Sequence, residues 1–332
     1  MSSNERGTYP TRSPMIDPAG SDTGVDSALP VARRGDDVAT IDRDTRRAML
    51  HHMLMARGID AEAGRLQNQG AVDLWLSCRG QEAAQVGSAM AVGDAAAIFP
   101  SYREHAVAVV RGIDAVSLVA QWAGRTFCGW DPRHHGFFPY TLVLAAQTLH
   151  AVGYAIGQRL KNVAQTVVVY IGDGATSEGD MSEALNLAAV ESAQVLFICQ
   201  NNGWAISKPS HEQMLTGIAE RANGFGVRSW SVAADDPEST YLDCLAAMRH
   251  VETTRSPALI ELRAARIGGH STSDPHSSYR SPEELAAVSA NDPVSRYREF
   301  LLAAGVVDEE WLERTDAEVD ETRRRLLEAF AS

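Results

Sequence analysis

Asp173 and Asn202 are the two side chains whose type and spacing point most directly to chemistry. Asp173 stands in Ile171-Gly-Asp-Gly-Ala-Thr-Ser-Glu-Gly-Asp180, and Asn202 in Asn201-Asn-Gly-Trp-Ala-Ile-Ser207. The 26 residues 175–200 lie between Gly174 and Asn201. When each follows a strand of one parallel sheet, both leave it at the edge where such sheets bind ligands. A carboxylate and an amide oxygen converging there form a hard, oxygen-only donor set, which suits Mg²⁺ holding a diphosphate. A Gly-Asp-Gly alone is a common turn. The combination is more specific, because a helix and then a strand fill the gap and the strand ends on Asn-Asn. A dinucleotide-binding glycine turn fits poorly: after Gly172 and Gly174, its third glycine falls on Ser177. No Gly-Lys-Ser or Gly-Lys-Thr of a phosphate loop is present.

The elements that must position this pair read as α/β. Residues 166–171 and 194–199 are short, apolar and rich in β-branched side chains, and neither alternates. Both therefore predict strands buried on two faces, as in a parallel sheet. Between them, 180–190 predicts a helix capped by Asp180, with Glu183 three residues on and Met181, Ala184, Leu185, Ala188 and Ala189 as its buried stripe. A third strand is predicted at 258–263. Helices are predicted at 44–68, with Met49, Leu50, Met53, Leu54 and Ile59 inward, and at 82–91, 114–122 and 144–160. The last is rich in small residues and should pack closely. From Pro282 on, Glu/Arg/Leu-rich helices with solvated charged faces dominate.

Composition narrows the class. The 332 residues carry a net charge of −13, which argues against nucleic acid as a partner. No run of 18 apolar residues occurs, so no membrane span is expected. Residues 1–40, rich in Ser, Asp, Gly and Pro, predict a disordered arm without a signal peptide. Cys78, Cys128, Cys199 and Cys244 show no C-x-x-C spacing, so free thiols in a reducing cytoplasm are expected.

Further blocks carry a family resemblance. They are Arg79-Gly-Gln-Glu-Ala-Ala-Gln-Val-Gly-Ser-Ala89, Phe99-Pro-Ser-Tyr-Arg-Glu104, Ala146-Gln-Thr-Leu-His-Ala-Val-Gly153, Arg266-Ile-Gly-Gly-His-Ser-Thr-Ser-Asp274 and Tyr279-Arg-Ser-Pro-Glu-Glu284. With the 171–207 segment they resemble the alpha subunit of thiamine-diphosphate-dependent 2-oxoacid dehydrogenases, branched-chain type. The resemblance implies one thiamine diphosphate domain at 41–281 and a C-terminal helical extension at 282–332. It implies Mg²⁺ held by Asp173, Asn202 and the carbonyl of Trp204. It implies a diphosphate gripped by Tyr102 and Arg103 and by the turn of Gly172, Gly174 and Ala175. Leu144 would prop the cofactor, and His270 would stand beside the diphosphate and the reacting centre as the catalytic histidine. Ser271 and Ser281 match positions phosphorylated in some relatives.

The implied activity is oxidative decarboxylation of a branched-chain 2-oxoacid, 3-methyl-2-oxobutanoate, with acyl transfer to the lipoyl group of an acyltransferase core. Such an enzyme is an oxidoreductase acting on the oxo group with a disulfide acceptor. The cofactor's pyrimidine ring needs a glutamate from a second α/β domain, and nothing here resembles that half. The expectation is therefore an α2β2 heterotetramer with a beta subunit. Pyruvate or acetoin dehydrogenase is the alternative within this chemistry. A catalytically silent assembly subunit is the alternative of another class, motivated by the changes at residues 126–146 and at Gln200. Gln200 stands where relatives often carry a diphosphate-binding Arg. Ser101 replaces a common Gln. Residues 126–143 leave the usual pattern, and Ala146 replaces the Thr of a potassium site of which only Gln147 remains.

Overall fold

The computed structural model describes residues 41–331, so the predicted arm at 1–40 lies outside the described residues. Seven strands occur among them: β1 (Ala97–Phe99), β2 (Val167–Gly172), β3 (Val195–Asn201), β4 (Trp204–Ala205), β5 (Lys208–Pro209), β6 (Arg228–Ala233) and β7 (Ala258–Arg263). Five form one sheet in the order β1-β2-β3-β7-β6, every pair parallel. β4 and β5 make a separate antiparallel ribbon.

Strand residues alternate between two cores. Ile98, Val168, Tyr170, Leu196, Ile198, Ile260 and Leu262 face one apolar cluster. Phe99, Val167, Val169, Ile171, Val195, Phe197, Cys199 and Leu259 face the other. Helices cover both faces, which is why these strands read as continuous apolar runs.

The third strand falls where the sequence predicts it, but other boundaries shift. β2 takes in Gly172 and β3 extends to Asn201, because the ladder pairs Gly172 with Gln200 and Asn201 with Arg263. β1 and β6 went unpredicted. β1 has three residues, and β6 is an edge strand of mixed polarity, so neither shows a sustained apolar run. The helix after β2 is Gly179–Val190 and starts from an extended Glu178, not from Asp180. Asp180 instead lies in the first turn, where a carboxylate meets the positive end of the helix dipole. Met181, Ala184, Leu185 and Ala188 are buried as predicted, whereas Ala189 is half-buried. Leu54 of the first helix is likewise only half-buried. The helix predicted from 144 begins at Ala146, because Ala145 takes a left-handed conformation (φ 63°).

The helices pack through glycine at two places. A Cβ on Gly87 would lie 2.6 Å from the Pro237 carbonyl oxygen, so helix Glu82–Val92 presses against helix Pro237–Thr254. A Cβ on Gly58 would lie 2.3 Å from Val319 Cγ1, where helix Arg43–Asn68 meets helix Glu309–Ala329. The C-terminal helices Pro293–Ala303 and Glu309–Ala329 share a third core with the first helix. Met49, Leu50 and Met53 pack there with Val294, Tyr297, Leu301 and Leu312. Arg57 ties the same layers together, reaching Glu82 and, bidentately, Asp292 (2.7 and 2.9 Å).

Candidate functional site

The carboxyl edge of the sheet gathers the chemistry. β2 and β3 stay in register to Gly172 and Gln200, so Asp173 leaves β2 opposite Asn201, and Asn202 is the first residue beyond the end of β3. Asp173 is buried, and the nearby backbone N–H of Asn202 favours its charged form. Ser210 Oγ donates to Asp173 Oδ2 at 2.5 Å. Burial pushes the Asp173 carboxyl upward, against the downward pull of the Ser210 hydroxyl, backbone donors and the Arg266 guanidinium. Asn202 Oδ1 accepts from the Trp204 N–H at 3.2 Å, which fixes the turn into β4. Trp204 Nε1 donates to Glu284. Gly174 opens a 3-10 turn, Gly174–Ser177, and a Cβ on it would lie 2.9 Å from Ala205 Cβ. The ribbon therefore closes against the Gly172–Ala175 turn, and only glycine fits at 174.

A second arm arrives from the turn after β1. Arg103 is buried and forks: Nη1 donates to the Ser77 carbonyl (2.6 Å), and Nη2 contacts the His270 carbonyl (3.0 Å) and His270 Nδ1 (3.2 Å). The Tyr102 ring stands edge-on to His270 with centroids 5.8 Å apart. Burial holds the Tyr102 phenol above its ordinary range. Burial, then Arg103 and Arg266, lowers His270 to about 4, so the imidazole is neutral near pH 7. A guanidinium has only donors, so Nδ1 is the acceptor and the proton sits on Nε2. The His270 backbone N–H donates to Asp274 Oδ2 at 2.6 Å, and Tyr279 donates to the same oxygen.

Tyr102, Arg103 and His270 thus come together, as do Asp173, Asn202, Trp204, Gly174 and Ala175. Leu144 stands at the mouth of helix Ala146–Leu160, 40% exposed and flanked by exposed Leu142 and Val143. Gln147 Nε2 donates to the Tyr170 carbonyl (2.8 Å), which sets this helix at the carboxyl end of β2. Gln147 Oε1 is buried without a partner among the described residues, and the Thr148 hydroxyl turns back to Ala145. Ser281 caps helix Pro282–Ala290.

Sequence reasoning assigned no role to Ser210, Gln81 or Arg266. Ser210 follows a ribbon that left no motif. Gln81 is buried beside Asn202, its Nε2 without a partner among the described residues. Arg266 is buried and donates to the Ile206 carbonyl and to Tyr279 Oη, while among the described residues its Nε and Nη1 meet no acceptor. Among the described residues no three His, Cys, Asp or Glu side chains form a metal cage.

The family described as dehydrogenase E1 component matches residues 50–330. The chain is 37% identical over 287 residues to a protein of Mycobacterium tuberculosis (strain ATCC 25618 / H37Rv) named 3-methyl-2-oxobutanoate dehydrogenase subunit alpha, covering 86% of this chain and 78% of that one. It is 36% identical over 277 residues to the mitochondrial 2-oxoisovalerate dehydrogenase subunit alpha of Homo sapiens, covering 80% of this chain and 61% of the human one. It is 35% identical over 276 residues to the mitochondrial 2-oxoisovalerate dehydrogenase subunit alpha 2 of Arabidopsis thaliana, covering 80% and 58%. A parallel sheet with its polar residues gathered at the carboxyl edge, matched over most of its length, makes this chain a member of the dehydrogenase E1 component family.

Proposed function

We propose that this chain is the alpha subunit of a branched-chain 2-oxoacid dehydrogenase that decarboxylates 3-methyl-2-oxobutanoate and binds thiamine diphosphate through Mg²⁺. The observation that carries the reading is the pairing of Asp173 and Asn202 at the ends of adjacent parallel strands. The named relatives support the substrate class.

The residues fit the absent group. One buried carboxylate with neighbouring amide and carbonyl oxygens is a Mg²⁺ site that leaves diphosphate and water oxygens to fill the shell. The buried N–H groups left without acceptors, Gln81 Nε2 and Arg266 Nε and Nη1, are donors suited to an anion. Asp173, Asn202 and the Trp204 carbonyl would hold the metal. Arg103 and the Gly174–Ala175 backbone would meet the diphosphate, as would Tyr102, with Leu144 against the cofactor's body. The bound cofactor supplies the electron sink for decarboxylation. His270, neutral with its proton on Nε2, presents an N–H donor beside that centre and adds no charge.

The beta subunit supplies the pyrimidine half, in an α2β2 assembly that passes its acyl group to a lipoylated acyltransferase core. Large apolar side chains exposed on segments leaving the carboxyl edge (Leu142, Val143, Leu144 and Ile206) support a partner there. Four free cysteines support a reducing, cytoplasmic setting. Among the described residues no helix is long and apolar enough to cross a membrane.

Co-expression with a beta subunit tests the reading. Turnover is expected on 3-methyl-2-oxobutanoate in preference to pyruvate and acetoin. Full activity of the single chain would refute the shared site, and cofactor binding without turnover on any substrate would favour a silent assembly subunit.

A further inference from the structure

Gln200 stands where the resemblance expects a diphosphate-binding arginine, yet it is buried and both its polar atoms are engaged. Gln200 Oε1 accepts from Gln85 Nε2 (3.0 Å), and Gln200 Nε2 donates to Glu104 Oε1 (2.7 Å). Glu104 is buried too. It accepts from the Ser101 hydroxyl (2.9 Å to Oε2) and from the Arg103 backbone N–H (3.4 Å). Gln85 closes the circuit. Its Nε2 also donates to the Arg103 carbonyl (2.9 Å), and its Oε1 accepts from the Ala106 N–H (2.9 Å). Helix Glu82–Val92, the turn after β1 and the end of β3 thus grip both backbone polar groups of Arg103. Ser101 and Gln200, two separate departures in the sequence, bond to the same carboxyl and form one unit.

We propose that Gln200 is a positioning residue that sets the backbone of Arg103 through Glu104 and Gln85, and that it does not itself touch the anion. This deepens, and rests on, the diphosphate site proposed above. The physical reason is reach and direction. The Arg103 guanidinium is buried and split between Ser77 and His270, so its placement follows its backbone. An amide at 200 supplies one donor to Glu104 and one acceptor to Gln85, a directed pair that an all-donor arginine lacks. The anion consequently meets one guanidinium from this turn and strand end, Arg103, and not two.

Thiamine diphosphate binding in the presence of Mg²⁺, titrated calorimetrically on the assembly with its beta subunit, tests this. Gln200→Leu is expected to weaken binding about tenfold, the size of one net hydrogen bond, with KM for the 2-oxoacid unchanged. The double variant Arg103→Ala/Gln200→Leu is expected to bind no more weakly than Arg103→Ala alone, because the effect passes through Arg103. Where Gln200→Leu fails to assemble, the exchange Glu104→Gln/Gln200→Glu probes the same bond. It reverses donor and acceptor while keeping the contacts to Gln85 and Ser101. The exchange should bind within about threefold of the parent, and each single change about tenfold more weakly. Additive losses in the double variant, or tighter binding by Gln200→Arg, would put residue 200 on the anion and overturn the proposal. Unchanged binding by Gln200→Leu beside an impaired Arg103→Ala would overturn it alone. Unchanged binding by Arg103→Ala would overturn the diphosphate site beneath it.

Discussion

Asp173 is buried with hydroxyl and N–H donors around it, and among the described residues no cation lies within ion-pair distance of its carboxylate. Such a group is stable in a folded protein when a cation completes it. Asp173→Asn keeps the shape and removes the charge. This variant, with its beta subunit, is expected to show no Mg²⁺-dependent thermal shift on adding thiamine diphosphate; a parental shift would move the metal elsewhere. Arg103→Ala removes a charged donor and is expected to cost about 1.5–3 kcal/mol of cofactor affinity, measured by calorimetry. Ser210 offers a milder test. Its hydroxyl and the metal would compete for the same carboxylate, so Ser210→Ala should leave cofactor affinity within about threefold, less than one net hydrogen bond.

At the scale of elements, two glycines in helices make opposite predictions. Gly87 faces Pro237 and Thr240 with no room for a methyl group. Gly87→Ala is expected to destabilise by about 1–3 kcal/mol through overpacking, read as a lower urea midpoint. Gly153, in helix Ala146–Leu160, meets nothing within 4 Å among the described residues. There the same change should stabilise the isolated chain by about 0.5–1 kcal/mol, since helical glycine carries an entropic cost. A loss of stability at 153 would show that the face is covered.

At the scale of the molecule, the C-terminal helices belong to the same packed body as the first helix. The boundary at 281/282 that the resemblance implies is crossed by this shared packing. Arg57 spans that boundary between a fully buried Glu82 and Asp292. Arg57→Met leaves Glu82 uncompensated and is expected to cost about 3–5 kcal/mol in urea unfolding. His52, whose Nδ1 is buried without a partner among the described residues, is lowered to about 4 by burial and by His51. The unfolded chain then binds the extra proton between pH 6.5 and about 4, so stability falls as pH falls through that window. His52→Phe is expected to lose less melting temperature than the parent between pH 7 and pH 4.5.

Residues 166–207 alone determined the α/β class, the two strands and the Asp173–Asn202 pair. The third strand, Ala258–Arg263, was equally legible. Burial on both faces writes itself as unbroken apolar runs, and the site follows such strands directly. Short or edge elements such as β1 and β6 left no comparable run. The supporting residues were hidden for another reason. Ser210, Gln81 and Arg266, and the circuit of Gln85, Ser101, Glu104 and Gln200, come from separate stretches that only packing brings together. Gln200 read in sequence as a missing arginine. Its neighbours in space turn it into a bonded amide, because a side chain's role depends on which polar groups share its buried volume, and one-dimensional spacing does not carry that information.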